Sequence, residues 1–431
     1  MSALRPFRYF WIPWVAMLVL GCFSDAAAQT SYKIADLGIN NSKDNFSMAM
    51  GLNNQGWAEN IDGTVNPPEN NLFTSVSRGR AVISIYGFNI DLGTLGKPGA
   101  NSWINWGGIN DRGEAVGMSE TTAPDPNGED ICGFRTHLTC VPFLWRDGHM
   151  SGLPTLGGNN GQASAINNRG EVVGFAENGV LDSTCPASIT NNRIALAALW
   201  AGGNAEALPL ADKDVDGEAF GINDRGEAVG YSGTCTSASH AMIWKDHTGT
   251  VLQNLGSKGG DVAYVINNKG QIAGQVGAPD DSTFYAAAWL DGADGKATKI
   301  DLLPGDFAGF ATGINNRGQV VGNDFDSNFD WFHGFIWQDN VTTDLNTLIP
   351  EDSGLFIISA SNINDRGQIS GMATVVSGPH TGEIHAYLLT PTDERLGASM
   401  ADLARTHPQS ISHGNVCSHF FQRFGPGRFE R

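Results

Sequence analysis

The sequence predicts an all-β fold: a single seven-bladed β-propeller of four-stranded blades, closed by its N-terminal strand. Three observations carry this expectation: a motif that recurs seven times, a strand-and-turn texture between its copies, and a phase shift between the two ends of the array.

The motif is Ile-Asn-(Asn/Asp)-(Arg/Lys)-Gly-(Glu/Gln), centred on Asn110, Asn167, Asn223, Asn267, Asn315 and Asn364, with a worn first copy at Leu52-Asn53-Asn54-Gln55-Gly56. Successive copies lie 44 to 57 residues apart, the length of four short strands with their loops. The 55 glycines and 18 prolines among 431 residues, with only 16% charged residues, call for many tight turns around much buried surface and leave little room for long helices.

Each repeat reads as four strands. The first enters the motif, as in Ala163-Ser164-Ala165-Ile166 or Val262-Ala263-Tyr264-Val265-Ile266. The motif is the turn: Asn bonds the backbone two residues on, the next two positions fit a type I turn, and Gly closes it in the left-handed conformation. The second strand follows at once (Glu171-Val172-Val173-Gly174), and the third carries patterns such as His240-Ala241-Met242-Ile243-Trp244 and His333-Gly334-Phe335-Ile336-Trp337. A turn such as Asp147-Gly148 then leads to a fourth strand with a Leu-Gly signature, as in Leu92-Gly93-Thr94-Leu95-Gly96. The seventh repeat stops at Ala386-Tyr387-Leu388-Leu389 without that fourth strand, whereas Ser31 to Gly38 reads like one and precedes the first motif. The N-terminal strand is therefore expected to complete the last blade, which also removes an exposed sheet edge.

The His-Ala-Phe-like third strand, the Leu-Gly-Thr-Leu-Gly-Gly stretch and the Ile-Asn-Asn-x-Gly turn resemble the HAF family of extracellular bacterial repeat proteins over roughly Ser31 to Pro391. Some copies depart from the pattern. Ser84 and Leu389 stand where the other five repeats have Trp, and Tyr285, Leu196 and Val141 replace the His. The resemblance implies export and a repeat architecture, and supplies no activity or substrate.

Export is also read directly. Arg5 and Arg8 precede an apolar run from Trp11 to Leu20 and small residues ending at Ala28, the pattern of a signal peptide over residues 1–28. The run is too short to span a bilayer, so no transmembrane segment is expected after its removal. An alternative is a lipobox, Val19-Leu20-Gly21-Cys22, that would leave the protein anchored through Cys22. The net charge of −19 argues against nucleic acid as a partner, and a monomer is expected. Residues 29–391 form the repeat domain, and residues 392–431, with Cys417, His407, His413 and His419, are a non-repeat tail.

In such a blade the motif turns gather on one face, and the long second-to-third-strand loops and interblade links on the other. That variable face is the candidate binding surface. Trp103, Trp106 and Trp331 fall in its links and loops, outside the strand positions of Trp145, Trp200, Trp244, Trp289 and Trp337, and are candidate sugar or protein contacts. Asp212, Asp214, Asp216 and Glu218 have the alternation of a calcium loop around Gly217, although the usual closing carboxylate is missing. Cys132 with Cys140, and Cys185 with Cys235, are the disulfide pairs that need least chain movement.

No nucleophile elbow, zinc-protease helix or phosphate loop is present. The expected function is a non-catalytic binding or structural scaffold for carbohydrate, cell-envelope or extracellular protein partners. The alternative is a propeller-type polysaccharide hydrolase or lyase using loop carboxylates.

Overall fold

The computed structural model describes residues 31–65, 76–185, 192–235, 237–327 and 332–392. The expected signal peptide, Cys22, Trp331 and the tail beyond Thr392 lie outside the described residues.

The described chain is all-β, and its strands pair as antiparallel meanders of four. One strand, β1 (Tyr32–Gly38), precedes them. The first meander is β2 (Phe46–Leu52), β3 (Ala58–Val65), β4 (Val76–Ile85) and β5 (Phe88–Asp91); the second is β6 (Ser102–Ile109), β7 (Ala115–Pro124), β8 (Leu138–Arg146) and β9 (His149–Gly152). The third is β10 (Gly161–Ile166), β11 (Val172–Leu181), β12 (Arg193–Ala201) and β13 (Asn204–Ala207); the fourth is β14 (Asp216–Ile222), β15 (Ala228–Thr234), β16 (Ser237–Lys245) and β17 (Thr248–Val251). The fifth is β18 (Val262–Ile266), β19 (Ile272–Gly277), β20 (Phe284–Trp289) and β21 (Thr298–Lys299); the sixth is β22 (Ala308–Ile314), β23 (Val320–Phe325), β24 (Phe332–Gln338) and β25 (Val341–Asp344). The seventh has β26 (Leu355–Ile363), β27 (Ile369–Val375) and β28 (Ile384–Pro391), and takes its fourth strand from the other end of the chain. There β1 runs antiparallel to β28, with Tyr32 opposite Pro391 and Ile34 opposite Leu389.

Burial falls from the first strand of a meander to the fourth. Every residue of β2, β10 and β22 is buried, whereas β5, β13 and β17 are largely exposed. The first strands are rich in Ala, Gly and Ser, so neighbouring backbones can approach closely: a Cβ on Gly107 would stand 2.7 Å from that of Ala165 in the next meander. The repeated third-strand Trp lies between meanders. Trp200, Trp244 and Trp289 are buried, and their indole N–H groups donate at 2.7 Å to the carbonyls of Pro154, Pro209 and Gln253, each in the preceding link. Burying the ring while satisfying its one donor makes Trp suited to that position.

The motif turn has the expected local geometry. Asn110 N donates to Glu114 O and Gly113 N to Asn110 O, both at 3.1 Å, and Gly113 has φ of 75°, a conformation that Gly adopts without a Cβ penalty. The Asn side chain does more than shape its own turn. Asn110 Oδ1 accepts from Arg112 N and Glu114 N, each at 3.0 Å, while its Nδ2 crosses to the next repeat and donates to Asn167 O at 3.0 Å. The same step recurs from Asn167 to Asn223, Asn223 to Asn267, Asn267 to Asn315 and Asn315 to Asn364. Asn53 donates to Asn110 O, and Asn364 donates to Asn53 O at 2.9 Å. The series has seven members and returns to its start.

Because each of these side chains is buried, truncation leaves backbone groups of two repeats unsatisfied. Asn223→Ala is expected to lower the unfolding free energy by about 2–4 kcal/mol in urea titrations, against less than about 0.5 kcal/mol for the exposed Thr248→Ala.

Candidate functional site

On the turn face, the second motif position builds another closed series around a depression of about 170 Å³. The backbone N–H of each second-position residue donates to the side chain of its neighbour, as from Asn54 to Asp111 Oδ1 at 2.7 Å and, at the end of the series, from Asp365 to Asn54 Oδ1 at 2.9 Å. The other carboxylate oxygen of each Asp accepts from flanking amides: Asp111 Oδ2 from Asn54 and Asn168, and Asp224 Oδ2 from Asn168 and Asn268. Outside this ring, Arg112, Arg169 and Arg225 pair with Glu114, Glu171 and Glu227. They also lie over the glycine of the next turn; a Cβ on Gly170 would stand 2.7 Å from Arg112 Nη2. Polar groups on this face are thus spent on one another, which suits a structural role.

On the opposite face, the second and third meanders carry the long loops, and these are tied together. Cys132 and Cys140 form one disulfide and Cys185 and Cys235 another. Three buried carboxylates surround one amide: Asn160 Nδ2 donates to Asp125 Oδ2 at 2.9 Å, to Glu177 Oε2 at 3.2 Å and to Glu129 Oε2 at 3.5 Å. Burial first, and then the Glu177 charge, push Glu129 up to about 7. Arg193 bridges the loops, its N–H donating to Glu129 Oε1 at 3.0 Å and its Nη2 to Asn127 Oδ1 at 2.7 Å. The amide nitrogen occupies the point where a cation would otherwise be needed.

The next meander repeats this arrangement with one change. Asn160 Oδ1 accepts from Cys140 N, and at the matching place Asp216 Oδ1 accepts from Ala195 N, both at 2.9 Å. Asp216 has a carboxylate oxygen where Asn160 has its amide. Oδ2 of this buried residue has no hydrogen-bond partner, and burial together with the carboxyl of Asp182 raises Asp216 to about 8.

This geometry corrects two expectations. The calcium carboxylates diverge. Asp212 is exposed, Asp214 Oδ2 accepts from Ser232 Oγ and His240 Nδ1, Asp216 turns to the preceding meander, and Glu218 reaches a third place. The physical reason is that the chain is already the extended strand β14 from Asp216 onward, so Gly217 makes no sharp turn and the carboxylates are strung out along the backbone. Trp103 is not a surface platform either. It lies in β6, 3% exposed, with its ring edge-on to Phe134 at 6.0 Å, beneath the disulfide-braced loop. Trp106 is also a β6 residue.

Glu218 belongs to a polar cluster that sequence reasoning did not assemble. Its Oε1 accepts from Ser164 Oγ at 2.7 Å and Gln162 Nε2 at 3.3 Å, and Asn105 Nδ2 donates to Ser164 Oγ at 3.4 Å. These residues come from β6, β10 and β14, the first strands of three successive meanders. Beside them Phe220 packs on Tyr231 and Tyr264, with ring centroids 5.9 and 5.2 Å apart, and Tyr264 on Phe310 at 5.9 Å. Burial raises Glu218 to about 8, with the Ser164 hydroxyl opposing, yet Glu218 keeps partial exposure. The signal in the sequence is the break in pattern: Gln162 and Glu218 replace the apolar Met48, Val262 and Phe310 four residues before the motif Asn's preceding Ile or Leu.

Compared with known proteins, the chain matches no family model and no curated sequence. Among solved structures it is similar to a puromycin-hydrolysing peptidase of Mycobacterium tuberculosis, at 8% identity and a TM-score of 0.43 over 76% of this chain and 49% of that one. It is similar to a putative gluconolactonase at 10% identity and a TM-score of 0.36, over 84% and 92% of the two chains. Prolyl oligopeptidase B from Galerina marginata gives 11% identity and a TM-score of 0.42, over 85% and 52%. The chain spans about half the length of the two peptidases, and likeness at this level bears on neither activity nor substrate.

The Asp216 carboxyl supplies a prediction. Its pKa is raised on folding, so its cost to stability is absent below pH about 4 and grows as the pH rises toward 8. Asp216→Asn restores the donor found at Asn160. It is expected to raise Tm, with a gain that widens between pH 5 and pH 8 in calorimetric scans, while the wild type loses stability over the same range.

Proposed function

We propose that the protein is an exported, HAF-like, single seven-bladed β-propeller that acts as a non-catalytic binding scaffold for carbohydrate or cell-envelope partners. The blade count rests on the seven meanders and on the two hydrogen-bond series that return to their start. Export is supported by the two disulfides, and among the described residues no helix is long and apolar enough to cross a membrane.

The observation that carries the binding reading is the Glu218 cluster. A carboxylate, an amide and a hydroxyl lie beside aromatic rings, and Glu218 is still reached by solvent. Neutral polyhydroxylated ligands hydrogen-bond to such fixed acceptors and donors, and of the neighbouring rings the half-buried Tyr231 is the one open to the apolar face of a sugar, Phe220, Tyr264 and Phe310 being buried. The disulfide-braced loops keep the approach rigid, which limits the ordering cost of binding.

The hydrolase reading draws on the raised Glu218 carboxyl, which could serve as an acid. Hydrolysis of a glycosidic bond ordinarily needs a second carboxylate about 5–10 Å away, across the scissile bond, so the turnover arm of the test below separates the two readings.

A glycan-array screen followed by calorimetry on Glu218→Gln and Trp331→Ala tests the proposal. Glu218→Gln is expected to weaken glycan binding by about tenfold, the loss of about one hydrogen bond. Binding unchanged in Glu218→Gln removes the site, and polysaccharide turnover that this substitution abolishes replaces the scaffold with an enzyme.

A further inference from the structure

Third-strand histidines in two meanders each meet a single aspartate: His240 Nδ1 lies 2.8 Å from Asp214 Oδ2, and His333 Nδ1 lies 2.9 Å from Asp306 Oδ2. In the seventh meander the arrangement is larger. His385, at the start of β28 and buried, faces Asp36 of β1 through Nδ1, 2.9 Å from both carboxylate oxygens. Its other nitrogen, Nε2, lies 3.1 Å from Glu383 Oε2, and the same oxygen is 3.2 Å from His380 Nδ1.

We propose that His380, Glu383 and His385 bind a divalent transition metal of the zinc class, with Asp36 as the outer partner that orients His385.

The spacing fits such an ion. Donor atoms of the three residues all lie within 4.8 Å of one another, and a tetrahedron with ligands about 2.0–2.1 Å from its centre has edges of about 3.3–3.4 Å, close to the two nitrogen-to-oxygen separations. Two imidazoles and a carboxylate favour zinc and its neighbours over calcium or magnesium, which take oxygen ligands.

Tautomer chemistry points the same way. With Nδ1 protonated, His385 donates a hydrogen bond to Asp36, which leaves the lone pair of Nε2 facing Glu383. A ring lone pair facing a carboxylate oxygen is repulsive unless something positive sits between them. A second proton on the ring can do this, and a metal ion does it for both histidines at once. The carboxylate–histidine pair on the outer side is the usual support of a metal-bound imidazole.

The backbone is built to bring the ligands together. Gly378 and Gly382 have φ of 95° and 94°, conformations that side-chain-bearing residues rarely adopt, and they fold the loop between β27 and β28 so that His380 reaches Glu383 and His385. His380 is 61% exposed, which gives an ion access and leaves a fourth position to water. Asp36 is on β1, so an ion held here would fasten the joint at which the N-terminal strand completes the seventh meander.

The test uses tag-free full-length protein stripped with chelator, titrated with Zn²⁺ by calorimetry and with Co²⁺ by visible absorption. Expected are one Zn²⁺ per chain with Kd on the order of 1 μM or tighter, a tetrahedral Co²⁺ spectrum and a higher Tm with Zn²⁺. His380→Ala, exposed and so safe for folding, should weaken binding at least about 100-fold. Asp36→Asn should weaken it by about 10–100-fold while keeping the Co²⁺ spectrum, the mark of a positioning residue. A variant with His407, His413 and His419 changed to Ala should bind as the wild type does. No binding below about 100 μM, or binding that survives His380→Ala and is lost with the three tail histidines, overturns the proposal.

Discussion

The architecture depends on one side chain, the first Asn of the motif. Its oxygen closes its own turn and its nitrogen reaches the carbonyl of the next turn. Each is a modest hydrogen bond, but all are buried, where an unmet partner costs more than a made bond contributes. Asp at that position could not donate, and Gln would carry the amide a methylene too far. The consequence is an array in which no repeat satisfies its own innermost turn without a neighbour. Such an array is complete only when the last turn meets the first, as it does at Asn364 and Asn53.

Much of this fold was legible in the sequence. The turn chemistry, the order of four strands, the transfer of β1 to the seventh meander and the pairing of the cysteines follow from spacing and residue type. The crossing amide was not legible, because a turn Asn is fully explained by local bonding and nothing in a repeat says which carbonyl its other end will find. Trp103 escapes the repeat pattern for a related reason: β6 is irregular between Ile104 and Ile109 and begins at Ser102, ahead of where the regular copies place a first strand. The Asp212–Glu218 alternation was likewise a strand pattern, since side chains two apart on a strand share a face without converging on a point.

The two faces divide by how their polar groups are used. On the turn face, amide and carboxylate alternate around a ring and neutralise one another. On the loop face, charge is concentrated: Asp125, Glu129 and Glu177 crowd one amide, and Asp182 and Asp216 have no amide between them. Natural folds keep such costs where they hold a functional surface in shape. The same reasoning separates Glu218 from Asp216, since Glu218 has its donors and partial access to solvent, whereas Asp216 Oδ2 has neither.

Both departures from the third-strand Trp, Ser84 and Leu389, fall in the meanders where the two chain ends meet. The first meander has Ser84 in place of the repeated Trp. Asn60 Nδ2 donates to Ser84 Oγ, Ser84 Oγ bonds Asn89 Oδ1, and Asn89 Nδ2 donates to Leu37 O at 3.4 Å, so a polar relay replaces a ring and ends on β1. Ser47 works at the same joint, donating to Gly38 O and accepting from Ala386 N. A Trp would pack against the adjacent meander but could not reach both ends of the chain. On the other side of the first meander, beside Gly108 of the second, Glu59 is buried with neither carboxylate oxygen paired, at the position of Val116, Val173 and Val229, and burial holds its pKa well above the usual range. An unmet buried group of this kind costs about 1–3 kcal/mol, a cost that the first meander carries as the fourth does at Asp216. At the joint itself the first meander reaches β1 through Asn89 and Ser47, and the histidine cluster holds the same strand through Asp36, so a few polar contacts fasten the two ends of the chain together.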